Sequence, residues 1–227
     1  MTNVFIIGSG KLANELLRGL DFNQQYTVLA WADRNNNETE TAIVIHAGSG
    51  RELKEAISYC KQTGSSLIEL STDLDYKQEN WDIPVVLCPN TNILMLKFMN
   101  MIEKSGQNFS QYQISMIESH QANKTSVSGT AVAMAKSLRV QNHVIESVRD
   151  VKRQQFELAI PEQNLARHAY HRIQISDGKS CSIIFETKVL GDSAYVDGVK
   201  EIICAVGKNH LEKRLYDVME FIDNHWI

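Results

Sequence analysis

Over its first 90 residues or so the chain alternates short apolar runs with segments of helical period, and that alternation narrows the folds open to it. Val4 to Ile7 is an unbroken run of β-branched and aromatic residues, as a strand covered on both faces requires. Leu12, Leu16, Leu17 and Leu20 then recur at helical spacing. Tyr26 to Trp31 and Ala42 to Ile45 read as the second and third strands, and Leu53, Ile57 and Cys60 stripe a second helix. Ser66 to Leu70 and Pro84 to Leu87 close the series as two more strands. Strands that alternate with helices form βαβ units, hence a mostly parallel sheet with right-handed crossovers.

Beyond Pro89 the pattern changes. Leu94, Leu96, Phe98, Met99 and Ile102 mark a helix that leads into different architecture. A strand (Tyr112 to Glu118), a polar loop, a helix (Gly129 to Arg139) and a strand (Val144 to Arg149) follow. Lys152-Arg153 reads as a solvated charged turn. Tyr170 to Ile175 and Ser180 to Val189 flank Asp177-Gly178, a hairpin signal. Many strands with few helices between them describe an α+β domain with an open mixed sheet. Leu211 to Ile222 is predicted to be an amphipathic helix, with Leu215, Val218, Met219 and Ile222 on one face.

The strongest local motif stands directly after the first strand. Gly8-Ser9-Gly10-Lys11-Leu12-Ala13 matches G-x-G-x-x-A. In such a turn the first glycine permits the tight bend and the second lets a pyrophosphate approach the backbone. The small third residue allows close helix–strand packing. The helix N-terminus beyond adds free N–H groups and the positive dipole end. Asp33 follows the second strand, where an acid would hold a ribose hydroxyl, and Arg34 beside it could instead meet a 2′-phosphate. The pair therefore leaves NADH and NADPH both open. The expected fold is α/β: a Rossmann-like parallel-sheet domain (residues 1–90, completed by 209–227) plus an α+β substrate-binding domain with an open mixed sheet (91–208).

Composition removes several alternatives. Among 227 residues, 23 Lys and Arg face 27 Asp and Glu, a formal charge of −4. That balance gives no chain-wide attraction to nucleic acid or anionic membrane. No run approaches the roughly 18 apolar residues of a membrane span. Cys60, Cys88, Cys181 and Cys204 form no C-x-x-C pair and no zinc spacing, and MTNVFIIGSG has no basic segment of a signal peptide. The expectation is a reduced, cytoplasmic protein without metal. His168 and His171 are three apart, but no nearby carboxylate or cysteine completes a ligand set.

The second chemical signal is Glu118-Ser119-His120-Gln121-Ala122-Asn123-Lys124-Thr125-Ser126-Val127-Ser128-Gly129-Thr130-Ala131. It leaves a strand, crosses a polar loop and enters a helix. Ser128 suits the N-cap, and Gly129 and Thr130 open the first turn with unpaired N–H groups that can hold an anion. Lys124 adds a cation upstream, and His120 can give or take a proton near neutral pH.

This segment resembles the signature of the 4-hydroxy-tetrahydrodipicolinate (dihydrodipicolinate) reductase family, roughly E-x-H-H-x-x-K-x-D-x-P-S-G-T-A. Glu118, His120, Lys124, Ser128, Gly129, Thr130 and Ala131 match it. The resemblance spans nearly the whole chain. Leu70-Ser71-Thr72 stands where the family has a nicotinamide-side G-T-T turn, and Cys88-Pro89-Asn90-Thr91 is similar to its A-P-N-F crossing. Leu215-Tyr216-Asp217 resembles its final helix. The resemblance implies an NADH- or NADPH-dependent oxidoreductase acting on a small dicarboxylate imine, assembled as a homotetramer. It implies His120 as proton donor or acceptor, Lys124 as the second catalytic group, and Gly129 and Thr130, with Ser128 and Gln121, as substrate-binding residues. It also implies cofactor contacts from Leu70, Ser71, Thr72, Cys88, Pro89, Asn90 and Thr91. Three departures stand out: Gln121 replaces the second histidine, the Lys124–Ser128 loop is one residue shorter and lacks the family's Asp and Pro, and Leu70 replaces a glycine. They keep two other readings open, a dinucleotide-binding sensor with little turnover and a reductase of another small carboxylate.

Overall fold

A computed structural model describes residues 1–35, 39–71 and 81–227. In chain order its elements are β1 (Thr2–Ile7), α1 (Lys11–Gly19), β2 (Tyr26–Ala30), β3 (Ile43–His46), α2 (Leu53–Thr63), β4 (Ser66–Glu69), β5 (Val85–Leu87) and α3 (Ile93–Ser105). Then come β6 (Gln113–Ser119), α4 (Gly129–Ser137), β7 (Ile145–Val148), α5 (Val151–Phe156), β8 (His168–Ser176), β9 (Ser182–Leu190), α6 (Ser193–Lys208), β10 (Leu215–Asp217) and α7 (Val218–Asp223). The chain divides into two compact units, Met1–Ile93 with Tyr195–Ile227, and Leu94–Ala194.

The first unit is a six-stranded parallel sheet in the order β10-β5-β4-β3-β1-β2. Val4, Phe5, Ile6 and Ile7 of β1 are all buried, because a central parallel strand is covered on both faces. On one side Phe5, Ile7, Trp31, Val44, Leu67 and Val85 form a cluster in which Tyr59 stands edge-on to Phe5 (5.9 Å) and Trp31 (5.4 Å).

Two features of this unit differ from the sequence reading. Helix α6 belongs to it from Tyr195 onward, so the boundary falls in the first turn of this helix and not at residue 208. The reason is close packing: a Cβ on Gly198 would lie 1.6 Å from the Thr91 carbonyl oxygen, and one on Gly207 2.0 Å from the Tyr26 hydroxyl. The predicted helix over Leu211–Ile222 is instead β10, which pairs Leu215 with Val85 and Asp217 with Leu87, followed by the short α7. Asp217 ends the strand and caps α7, accepting from the Met219 N–H (2.8 Å), while Glu220 returns a carboxylate to the Asp217 N–H (3.0 Å).

The second unit carries a four-stranded sheet in the order β7-β6-β8-β9, with β6–β7 parallel and the other pairs antiparallel. This is the open mixed sheet expected of the middle of the chain. Met116, Ala131, Met134, Leu138, Ile173 and Ile175 pack between the sheet and α4. At the β8–β9 hairpin Gly178 adopts φ +74°, and the Asp177 carboxylate accepts from the Lys179, Ser180 and Cys181 amides at 2.8–3.1 Å. Lys152-Arg153 lies in α5 and not in a turn, because Asp150 caps that helix through the Arg153 N–H (2.8 Å). Among the described residues, no helix is long and apolar enough to cross a membrane.

Candidate active site

The glycine turn of the first unit has the geometry its motif requires. Gly8 has φ +129°, and a Cβ there would lie 2.8 Å from the Ala47 carbonyl oxygen, so only glycine fits without strain. Gly10 is the exposed N-cap of α1, and a Cβ on it would meet nothing within 4 Å. The backbone at that point is therefore open to an approaching ligand. Ala13 is fully buried against the sheet. Asn14 pins the turn by donating to the Ser9 (3.1 Å) and Gly10 (3.0 Å) carbonyls, while Ser9 and Lys11 remain exposed and Leu12 is half-buried.

Past β2, Asp33 is exposed in a 3-10 turn. The Arg34 guanidinium carbon lies over the Trp31 ring, 3.7 Å from its centroid, and Nη1 donates to the Trp31 carbonyl (2.8 Å). Its other Nη is paired with Glu55 of α2. Sequence reasoning missed that partner, which lies 21 residues away.

A second feature missed from sequence is a buried pair at the ends of β3 and β4. The His46 Nδ1 lies 2.8 Å from the Glu69 carboxylate, and both side chains are fully buried. Burial lowers the pKa of His46, but its bonds to Glu69 and to the Arg51 carbonyl outweigh that and raise it overall. The Ser71 amide donates to the same carboxylate (2.8 Å), and the Leu70 amide donates to the His46 carbonyl (2.9 Å). Leu70 is buried; Thr72 lies outside the described residues. Cys88 is buried and bonds through its amide to the Glu69 carbonyl (2.8 Å), with burial pushing its thiol pKa up. Pro89 is exposed, Asn90 accepts from the Asn92 amide (2.9 Å), and Thr91 donates to the Tyr195 carbonyl (3.3 Å).

In the second unit the chemistry gathers where β6 runs out. Glu118 is fully buried, and its two carboxylate oxygens are shared among three donors. The His120 Nδ1 lies 2.7 Å from Oε2, while Ser147 Oγ (2.5 Å) and Arg149 Nη2 (2.6 Å) donate to Oε1. Burial pushes the Glu118 pKa up, but these partners prevail and bring it down to about 2, so it is an anion at neutral pH. The His120 side chain keeps 16% exposure, enough to meet a ligand.

On the other side of His120 stands His171 of β8, edge-on with ring centroids 5.7 Å apart. Burial, then repulsion from His120, lowers the His171 pKa to about 3, so its ring is neutral. Ser128 occupies the N-cap of α4 but makes no side-chain cap; its hydroxyl lies 3.4 Å from the His171 Nε2. The expected capping bond is thus replaced by a contact across to β8. A Cβ on Gly129 would meet nothing within 4 Å, which leaves space in front of the first helical turn. Gln121, Lys124 and Thr130 are half-buried along the same connection.

His168 and His171, three apart on one strand, point to opposite faces. His168 Nε2 lies 3.0 Å from Ser119 Oγ, with burial lowering its pKa, whereas His171 faces His120 and Thr187. Among the described residues no His, Cys, Asp and Glu group could hold a metal ion. Gln154 of α5 completes the frame, donating to the His120 carbonyl (2.8 Å) and to Ser119 Oγ (3.1 Å).

Residues 93–222 match the family model described as dihydrodipicolinate reductase, C-terminus. The chain is 29% identical over 157 residues to 4-hydroxy-tetrahydrodipicolinate reductase 2, chloroplastic, of Arabidopsis thaliana, a match covering 63% of this chain and 45% of that protein. A probable 4-hydroxy-tetrahydrodipicolinate reductase 1, chloroplastic, of Oryza sativa subsp. japonica is 28% identical, covering 63% and 46%. The chain thus spans less than half the length of these plant relatives. Among solved structures, the dipicolinate-bound dihydrodipicolinate reductase of Paenisporosarcina sp. TG-14 superposes with TM-score 0.65 at 16% identity, covering 96% of this chain and 97% of that one, which shows a shared fold. With more than half of its residues matched by the family model, the chain belongs to the dihydrodipicolinate reductase family.

Proposed function

We propose that the protein reduces 4-hydroxy-tetrahydrodipicolinate (dihydrodipicolinate) to tetrahydrodipicolinate with NADH or NADPH. The observation that carries this reading is the part-exposed His120 held on the ionised, buried Glu118 beside the open N-terminus of α4. Glu118 takes the Nδ1 position, which leaves Nε2 as the His120 atom that passes a proton to or from a ligand. Gly129 and Thr130 supply first-turn donors for a substrate carboxylate, and the helix dipole favours the negative charge. Lys124 contributes an ammonium that offsets charge developing on the reacting imine.

The residues of the glycine turn fit a dinucleotide. Gly10 leaves its backbone open, and Gly8 permits the bend, so the amides opening α1 would hold the pyrophosphate. A bound reduced nicotinamide supplies the hydride. All four cysteines are free thiols, which supports a reducing compartment such as the cytoplasm.

The test follows reduced-nicotinamide absorbance with freshly generated substrate. Wild type is expected to consume the cofactor, and His120→Ala and Lys124→Ala to lower turnover by roughly 10²–10⁴-fold, with dinucleotide affinity kept. Cofactor binding without consumption would sink the proposal; variants that match wild type would sink the roles given to His120 and Lys124.

A further inference from the structure

Arg149 stands just past β7, outside the β6–α4 connection, yet its guanidinium bonds converge on that connection. Nε donates to the Lys124 carbonyl (2.9 Å), and Nη2 donates both to the Ser126 carbonyl (3.1 Å) and to Glu118 Oε1 (2.6 Å). Nη1 is anchored on the Val148 carbonyl (3.1 Å), which ties the fork to the sheet.

We propose that Arg149 is a positioning residue that holds His120 and Lys124 in one arrangement, reaching His120 through the Glu118 carboxylate and Lys124 through its backbone carbonyl. The sequence explains why such a clamp is useful here. Thr125, Ser126 and Val127 follow Lys124 with no proline to restrict them, and all three are exposed. A polar loop of this kind is the part of a site that drifts unless other elements tie it down. The His120 side is secured from two directions: Gln154 holds its carbonyl, and Glu118, held by Ser147 and Arg149 together, holds its ring. On the Lys124 side, the Lys124 amide closes a local turn to the Gln121 carbonyl (2.9 Å), while Arg149 links the loop to the sheet. One planar fork therefore spans both groups, a task the single point charge of lysine cannot perform.

This inference rests on the reductase reading, so its test has an arm that needs no turnover. In ligand-free protein carrying ¹⁵N-labelled histidine, the neutral form of wild-type His120 is expected as a single tautomer, with the proton on Nδ1 against Glu118. Arg149→Ala removes one of the two donors that hold Glu118 Oε1, which loosens the carboxylate, so a mixture of tautomers is expected. In the kinetic arm, turnover of Arg149→Ala should fall by about 10²-fold, the size of a displacement on the order of 1 Å, while dinucleotide affinity stays within about twofold. Arg149→Lys, which keeps charge but loses the fork, should lie between the two. A single tautomer together with wild-type turnover in Arg149→Ala overturns the clamp. Should circular dichroism show that Arg149→Ala does not fold, Arg149→Lys decides, and wild-type behaviour there overturns it. If wild type turns nothing over, the reductase reading fails on its own; the tautomer of Arg149→Ala then decides, a mixture supporting the clamp and a single form overturning it.

Discussion

His171 is 3% exposed and neutral, with a pKa near 3 against an ordinary 6.5, so it resists protonation in the folded unit but not in the unfolded chain. Between those values the unfolded state binds more protons, and stability therefore rises with pH. His168, also lowered by burial, acts with the same sign. Glu118, lowered to about 2, adds its own loss only as pH falls from about 4.5 toward 2. His46 works oppositely in the first unit: its raised pKa gives stability at low pH that is lost as pH rises through it. The second unit should therefore lose up to about 1.4 kcal/mol per pH unit below 6.5 from His171 alone. Amide exchange in β6 and β8, followed from pH 7 to 5, checks this; His171→Gln should show a shallower slope, and equal slopes would contradict it.

The proposed cofactor site also makes a prediction at the scale of single residues. Arg34 is held by the Trp31 ring and Glu55, and Asp33 beside it is exposed and acidic. A ribose hydroxyl suits that setting better than a phosphate, which would meet two carboxylates. NADH should bind more tightly than NADPH, and Glu55→Ala should improve NADPH affinity by about tenfold while leaving NADH little changed. Titration by nicotinamide fluorescence reads both, and an unchanged NADPH affinity in Glu55→Ala would contradict it. The sequence displayed Asp33 and Arg34 but could not reveal Glu55, just as it displayed His120 and Lys124 but not Arg149. Motifs record residues near one another in the chain. These partners meet only after β2 and α2, or β6 and β7, have come together.

At the scale of elements, strands β1 to β9 were legible because each is a compact apolar run or a clear alternation bounded by turn residues. Helix α6 was not. Its segment carries Gly198 and Gly207, poor helix formers that are present because Thr91 and Tyr26 leave no room for a Cβ. The β10–α7 stretch was misread because Leu215, Val218 and Ile222 fit a helical stripe, whereas pairing with β5 needs only three residues. Gly198→Ala should cost the first unit about 1–3 kcal/mol through overpacking against the Thr91 carbonyl. Trp31, Trp81 and Trp226 all lie in that unit, so the tryptophan fluorescence midpoint in urea reports it selectively. A midpoint equal to wild type would show that α6 packs otherwise.

At the scale of the whole molecule, labour divides between the units. The first, built from both ends of the chain, carries the glycine turn and the Arg34–Glu55 pair; the second carries His120, Lys124 and the frame that holds them. The fold class could be read from the order of periods, and the proposed chemistry rests on two short motifs. The part-buried Glu118–Arg149 pair and the buried His46–Glu69 pair behind those motifs emerged only from tertiary structure. The most direct test of the central claim uses reduced nicotinamide dinucleotide labelled with deuterium at the transferable position, together with freshly generated 4-hydroxy-tetrahydrodipicolinate, followed by mass spectrometry of the product. The account predicts tetrahydrodipicolinate carrying the deuterium. Absence of labelled product, with both ligands shown to bind, would contradict it.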